Sequence, residues 1–197
     1  MNQDALFQVV LAVGFLIVVT VTLNHRLKSW KSKETLDRRQ EGVFILATLR
    51  PVGLAVWLGI IAYMINPAWM AWSSVSLPVW LRWMGAGLCV VAAGLLDWTL
   101  RSLGPNLTDT VVTRQVHTLV THGPYRWVRH PFYNCVMLFI IASSLMAANW
   151  FLFAAGCAFF CLVAIRTRTE EALLLARFGD AYRTYLRQTG RFVPRWP

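Results

Sequence analysis

Two short polar clusters in an otherwise apolar chain hold the residue types that can do chemistry. The first is the stretch 117–133, HTLVTHGPYRWVRHPFY, which crowds His117, His122, His130, Tyr125, Tyr133, Arg126 and Arg129 around two prolines. The second is Arg166 with Glu170 and Glu171, where a spacing of four sets Arg166 and Glu170 on one helix face. Ionisable residues that converge at a membrane boundary are by default a functional site, because their desolvation is costly unless it serves a purpose. Simple anchoring of the arginines in lipid headgroups is the competing reading.

The elements that must bring the two clusters together are short-range ones. Apolar runs over 132–147 and 150–166, joined by Ala148-Asn149, predict a tight helical hairpin. Its open end carries Arg129-His130-Pro131 on one arm and Arg166 to Glu171 on the other, within side-chain reach. A helix continuing from Trp150 to Phe178 would be about 43 Å long against a hydrocarbon core of about 30 Å, so two or three turns should project beyond the bilayer. Gly179 is a natural stop and Asp180 a natural N-cap for a last short helix, whose Tyr182, Tyr185 and Leu186 should lie back over the bundle.

Composition sets the class. Of the 197 residues 57% are hydrophobic, ten are Trp and the mean hydropathy is positive. That combination predicts an integral membrane protein. The formal charge of +10 does not indicate a nucleic-acid partner, because the basic residues sit between apolar runs instead of clustering on one water-facing surface. Cys89, Cys135, Cys157 and Cys161 fall in or beside apolar segments without zinc-site spacing, so they read as small buried hydrophobes and no metal is expected.

Three further spans precede the hairpin, at about 5–23, 43–64 and 78–98. A cleaved signal peptide is disfavoured for the first: it has no basic leader, Asp4 is acidic, and no small-residue cleavage site follows. Arg50 lies inside the second span, too deep to reach the surface easily, so an internal partner is expected, with Asp97 the candidate. Gly85, Gly87, Ala92, Ala93 and Gly94 offer small faces for close helix approach in the third. The link 65–77 has two Trp and no Lys or Arg, whereas 24–42, 99–131 and 166–197 carry six, four and seven. The positive-inside rule then puts the N-terminus outside and the C-terminus in the cytoplasm. In a bacterial host the membrane would be the inner or plasma membrane. The expected architecture is an all-α polytopic membrane helix bundle of about five spans. Residues 1–98 would form a three-span region, and 99–197 a connector, the hairpin and C-terminal helices.

The polar clusters also carry a resemblance. Residues 117–133, then Arg166-Thr-Arg-Thr-Glu-Glu171, Phe178-Gly-Asp-Ala-Tyr182 and Tyr185, preceded by Leu103-Gly-Pro-Asn106, resemble the isoprenylcysteine carboxyl methyltransferase family over about the C-terminal half. Related membrane methyltransferases acting on phospholipid amines share much of the pattern. The resemblance implies S-adenosylmethionine bound between the connector, the start of the fourth span and the helix after the fifth. It implies cofactor contacts from His117, Thr118, Leu119, Val120, Tyr125, His130, Pro131, Phe132, Tyr133 and Glu170, and a substrate-binding Arg166. It further implies a lipophilic acceptor entering from the bilayer.

The residue types agree with these roles. The main chain from His117 to Val120 suits an adenine edge, Glu170 suits an ammonium, and the rings of Tyr125, Phe132 and Tyr133 suit a sulfonium. A carboxylate acceptor is already ionised at neutral pH and needs no base, so Arg166 and Arg129 would align it. An amine acceptor would need Glu171 or His130 as base. The sequence departs from the family at Cys135, where a glycine is usual; a narrowed pocket is the expected consequence. A nicotinamide-dependent membrane reductase and a non-catalytic span bundle are the readings from other classes.

Overall fold

The computed structural model describes residues 3–30, 43–104 and 118–195. Among them six α-helices follow in order: α1 Gln3–Trp30, α2 Val43–Ile65, α3 Val79–Leu103, α4 Pro131–Ala147, α5 Trp150–Phe178 and α6 Asp180–Gln188. Short 3₁₀ turns occupy Pro67–Ser73 and Gly123–Arg126. Much of α1 and α2, together with α3 and α5, is long and apolar enough to cross a membrane. The fourth expected span is α4, an apolar helix of 17 residues. At about 1.5 Å per residue it is roughly 25 Å long, short of the ~30 Å core. Pro131 fixes its start. Ala148, in the left-handed region (φ 48°), fixes its end.

Lipid-type surface runs round the outside. Leu16, Leu58, Val90 and Phe153 are exposed, while Leu11, Ile60, Ala92, Ala142 and Leu152 are buried. Helix association in such a solvent depends on close packing. α3 packs against α1 and α4, and α5 against α2 and α4. Among the buried positions of α3, Arg82, Gly85, Cys89, Ala92, Leu96 and Thr99 recur at three- and four-residue steps, with Leu100 beside the last, so one stripe faces inward. Of the small residues expected to mediate close approach, Gly85 does so and Gly87 and Gly94 face open space. A Cβ at Gly85 would lie 2.9 Å from both the Ala142 carbonyl oxygen and the Leu145 Cβ. Gly85→Ala is therefore expected to cost about 1–3 kcal/mol by overpacking, and Gly87→Ala nothing. Unfolding titrations in detergent would check this, and equal stabilities for the two variants would contradict it.

The hairpin between α4 and α5 closes through Asn149. Its side chain caps α5 by accepting from the Leu152 N–H (3.1 Å). The same side chain donates to the Ser73 hydroxyl (2.8 Å) and the Met70 carbonyl (3.2 Å). The predicted Trp-rich link is thus stapled to the hairpin tip.

At the same end of the bundle Arg82 is buried and fully engaged. It donates to Asp4 (2.7 Å), the Tyr63 hydroxyl (3.2 Å) and the Met146 carbonyl (3.0 Å), with its guanidinium 4.1 Å over the Phe7 ring. One side chain so joins α1, α2, α3 and α4.

The expected Arg50–Asp97 pair does not form. Arg50 is exposed, and Asp97 is bound by His25 of α1 (3.1 Å) and by Arg101 one turn further along α3 (2.7 Å). The reason is topological: α2 packs on α5, while α1 is the neighbour of α3. α5 runs unbroken to Phe178 and α6 follows, as expected. Gly179 (φ 54°) takes the cap position, with Asp180 in the first turn of α6, bound to Arg183 at 3.2 Å.

Candidate active site

The two polar clusters meet at the open end of the α4–α5 hairpin. Arg129 Nε donates to Glu171 Oε1 (2.8 Å), and the Tyr133 hydroxyl donates to Glu170 Oε1 (2.7 Å). Arg166 Nε lies 3.1 Å from Glu170 Oε1 across one turn of α5. His130 sits between the two carboxylates, with Nε2 3.3 Å from Glu171 and Nδ1 3.5 Å from Glu170. The arginine, histidine and glutamate side chains of this cluster are at most 16% exposed, and Tyr133 is half-buried. Contacts of this kind, away from water, are far stronger than the same pairs at a surface.

Rings line the cluster. His130 stacks on Tyr133 with centroids 5.8 Å apart and planes 22° apart, and Phe132 meets Tyr133 edge-on. Pro131, buried, begins α4, and Phe132 turns toward the hydrophobic core. Tyr125 is buried in the 3₁₀ turn, and its carbonyl accepts from the Tyr185 hydroxyl at 2.6 Å. This bond, with buried Tyr182, seats α6 on the connector, so Tyr182 and Tyr185 turn inward as expected. Burial pushes the phenols of Tyr125 and Tyr182 well up, and that of Tyr185 to about 12, so all three are neutral donors at physiological pH.

Other predicted residues stand apart. Thr118 is exposed, and Leu119 and Val120 are half-buried in an extended stretch. Among the described residues neither Leu119 nor Val120 makes a main-chain to main-chain hydrogen bond. His117, the Pro105-Asn106 part of the motif and the loop bases Lys31, Lys33, Arg38 and Arg39 lie outside the described residues. Cys135 is buried against α3, its Sγ 3.7 Å from the Thr99 hydroxyl, so the side chain in the usual glycine position fills the α3–α4 seam.

Sequence reasoning missed the C-terminal segment. Arg191 Nε donates to Glu171 Oε1 (3.1 Å) and its Nη2 to Glu171 Oε2. Arg129 reaches the Thr189 carbonyl as well. In the sequence Arg191 is one of seven basic residues after position 165, and nothing local marks it.

An apolar pocket opens below the cluster between α2, α4 and α5, lined by Gly53, Trp57, Val136, Phe139 and Phe159 among others. Val136 is three residues along α4 from Tyr133, roughly 4.5 Å deeper. The polar, ring-lined cluster thus sits above an apolar pocket.

Comparison with known proteins bears on the chain's family and fold. Residues 85–176 match the model of the isoprenylcysteine carboxyl methyltransferase family. The chain is 42% identical over 76 residues to the methanethiol S-methyltransferase of Mycobacterium tuberculosis, covering 39% of this chain and 30% of that protein. It is 30% identical over 118 residues to the protein-S-isoprenylcysteine O-methyltransferase of Tribolium castaneum, covering 58% and 42%. It therefore spans less than half the length of either of these relatives. A solved structure of the eukaryotic intramembrane Ras methyltransferase of the same family superposes with a TM-score of 0.56 at 28% identity, covering 74% of this chain and 51% of that one. Arg129, His130, Tyr133, Arg166, Glu170 and Glu171 all fall inside the matched segment. Over residues 85–176 this helical bundle is thus similar to the isoprenylcysteine carboxyl methyltransferase family.

Proposed function

We propose that the chain is an integral membrane S-adenosylmethionine-dependent methyltransferase that methylates the carboxylate of an isoprenylcysteine-like lipophilic acceptor. The observation that carries the reading is the meeting of 129–133 with 166–171 inside the family-matched segment. Residues 1–98 act as a membrane scaffold and 99–197 as the cofactor-binding half. The arginine-rich loops lie in the cytoplasm, with the N-terminus outside.

The residues fit the cofactor by the chemistry of their donors. Glu170 offers a carboxylate to an ammonium, the stacked His130 and Tyr133 rings offer faces to a sulfonium, and Leu119 and Val120 offer main-chain groups to an adenine edge. His117, Thr118, Tyr125, Pro131 and Phe132 complete the proposed cofactor wall. S-adenosylmethionine, when bound, supplies an electrophilic methyl group. Arg166 aligns the acceptor carboxylate, with Arg129 and Glu171 framing the same cluster. No base is needed for an acceptor ionised at neutral pH, so alignment in a dry site is the catalytic contribution. The acceptor's tail enters from the bilayer into the pocket between α2, α4 and α5.

A second reading, methylation of a small lipophilic nucleophile such as an alkyl thiol, is favoured by the 42% identity to the mycobacterial enzyme. Transfer of labelled methyl to an S-farnesylcysteine derivative, a short alkyl thiol and phosphatidylethanolamine separates the acceptors. The farnesylcysteine derivative is expected to be labelled fastest. Labelling of the thiol or phospholipid alone would overturn the carboxylate assignment.

A further inference from the structure

The C-terminal segment 189–192 does not trail from the bundle. It lies across the start of α4 as a strap held by main-chain bonds. Arg129 N–H donates to the Gly190 carbonyl (2.9 Å), His130 N–H to the Arg191 carbonyl (3.1 Å) and Gly190 N–H to the Trp127 carbonyl (3.3 Å). Asn134 Nδ2 adds a bond to the Phe192 carbonyl (2.7 Å). The bond from His130, the N-cap of α4, satisfies an N–H that has no partner within the helix.

Two side chains of the strap face the chemistry. Arg191 grips both oxygens of Glu171, the carboxylate that also holds Arg129 and His130. Phe192 packs its ring between His130 (centroids 5.8 Å) and Phe160 of α5 (4.9 Å), closing the seam of the hairpin beside the cluster. Gly190 is obligatory for the bend, because a Cβ there would collide with the Val193 carbonyl oxygen. The strap is tied to the backbone of 129–130 and to Glu171, which His130 also contacts.

We propose that the strap is a working wall of the candidate site and that Arg191 is a positioning residue, acting through Glu171 on His130 and Arg129. The inference rests on the methyltransferase reading above. A bidentate guanidinium fixes the plane of a carboxylate as well as neutralising it, which a lysine cannot do. With Arg191 removed, Glu171 keeps Arg129 and His130, so the fold survives while the cluster loosens.

The test uses the purified full chain in detergent, as wild type, Arg191→Ala, Arg191→Lys and Gly190→Ala. Calorimetric affinity for S-adenosylhomocysteine, KM and kcat, and thermal midpoint are measured for each. Arg191→Ala is expected to weaken S-adenosylhomocysteine binding and raise the cofactor KM by about tenfold or more, the range of one charge-assisted bond, with kcat falling less. Arg191→Lys should recover part of that loss. Gly190→Ala, which lifts the strap and leaves every charge in place, should give the same split between KM and kcat. Unchanged affinity and KM in Arg191→Ala beside a wild type that binds would overturn the inference and leave the methyltransferase reading standing. A lowered thermal midpoint with unchanged KM in the folded fraction would also overturn it, as a purely structural role. A wild type that binds no S-adenosylhomocysteine would defeat both.

Discussion

Glu170→Ala is expected to weaken S-adenosylhomocysteine binding by about tenfold or more, and Arg166→Ala to leave that affinity within about threefold while reducing methyl transfer by about 10² or more. The two residues lie on one face of α5 and touch each other, so the contrast tests their roles and not their location. Glu170 carries the negative charge proposed to meet the cofactor's ammonium, and a hydrogen bond to a charged group contributes about 1.5–3 kcal/mol. Glu170→Gln keeps an acceptor for the Tyr133 hydroxyl and removes only the charge, so it should behave like Glu170→Ala. Arg166→Ala leaves Glu170 with Tyr133 and His130, and so leaves the proposed cofactor side in place. Calorimetry of the three variants with single-turnover transfer checks this. Loss of binding in Arg166→Ala with retention in Glu170→Ala would reverse the assignments.

Arg82→Ala is expected to produce the largest stability loss, about 3–5 kcal/mol in a denaturant titration in mild detergent. The side chain is buried and has three hydrogen-bond partners and a ring beneath it. Truncation leaves the Met146 carbonyl and the Tyr63 hydroxyl short of a donor and opens a gap between four helices. Arg82→Lys should recover little, since one ammonium cannot span Asp4, Tyr63 and Met146 together. Because this node lies at the opposite end of α4 from His130, the folded fraction of Arg82→Ala should bind S-adenosylhomocysteine with wild-type affinity. A variant as stable as wild type would show that the node contributes nothing net.

Helix positions are legible in the sequence because each depends on a local run. The hydrophobic stretches, Pro131, Asn149 and Gly179 mark where helices must begin and stop, and the Ala148-Asn149 turn is too short for anything but a hairpin. That hairpin makes the meeting of Arg129 and His130 with Arg166 to Glu171 readable in advance. Pairings that depend on which helices are neighbours are not legible. Asp97 takes His25 and Arg101 where Arg50 is expected, because α1 and not α2 packs on α3. Arg82 reads as a single cation near a span end, and its partners come from positions 4, 63 and 146. Arg191 is hidden among similar arginines, since only the turn of the chain after α6 returns it to Glu171. Gly87 and Gly94 show the same limit: composition identifies small residues, and packing decides which of them matter.

The methyltransferase reading stands or falls on whether the cluster of His130, Tyr133 and Glu170 binds S-adenosylmethionine. The decisive experiment is calorimetric titration of the purified chain with S-adenosylhomocysteine, run alongside a reduced nicotinamide cofactor. Saturable one-to-one binding of S-adenosylhomocysteine, lost in Glu170→Ala, with no heat from the nicotinamide, is the predicted result. Binding of the nicotinamide cofactor alone would contradict it.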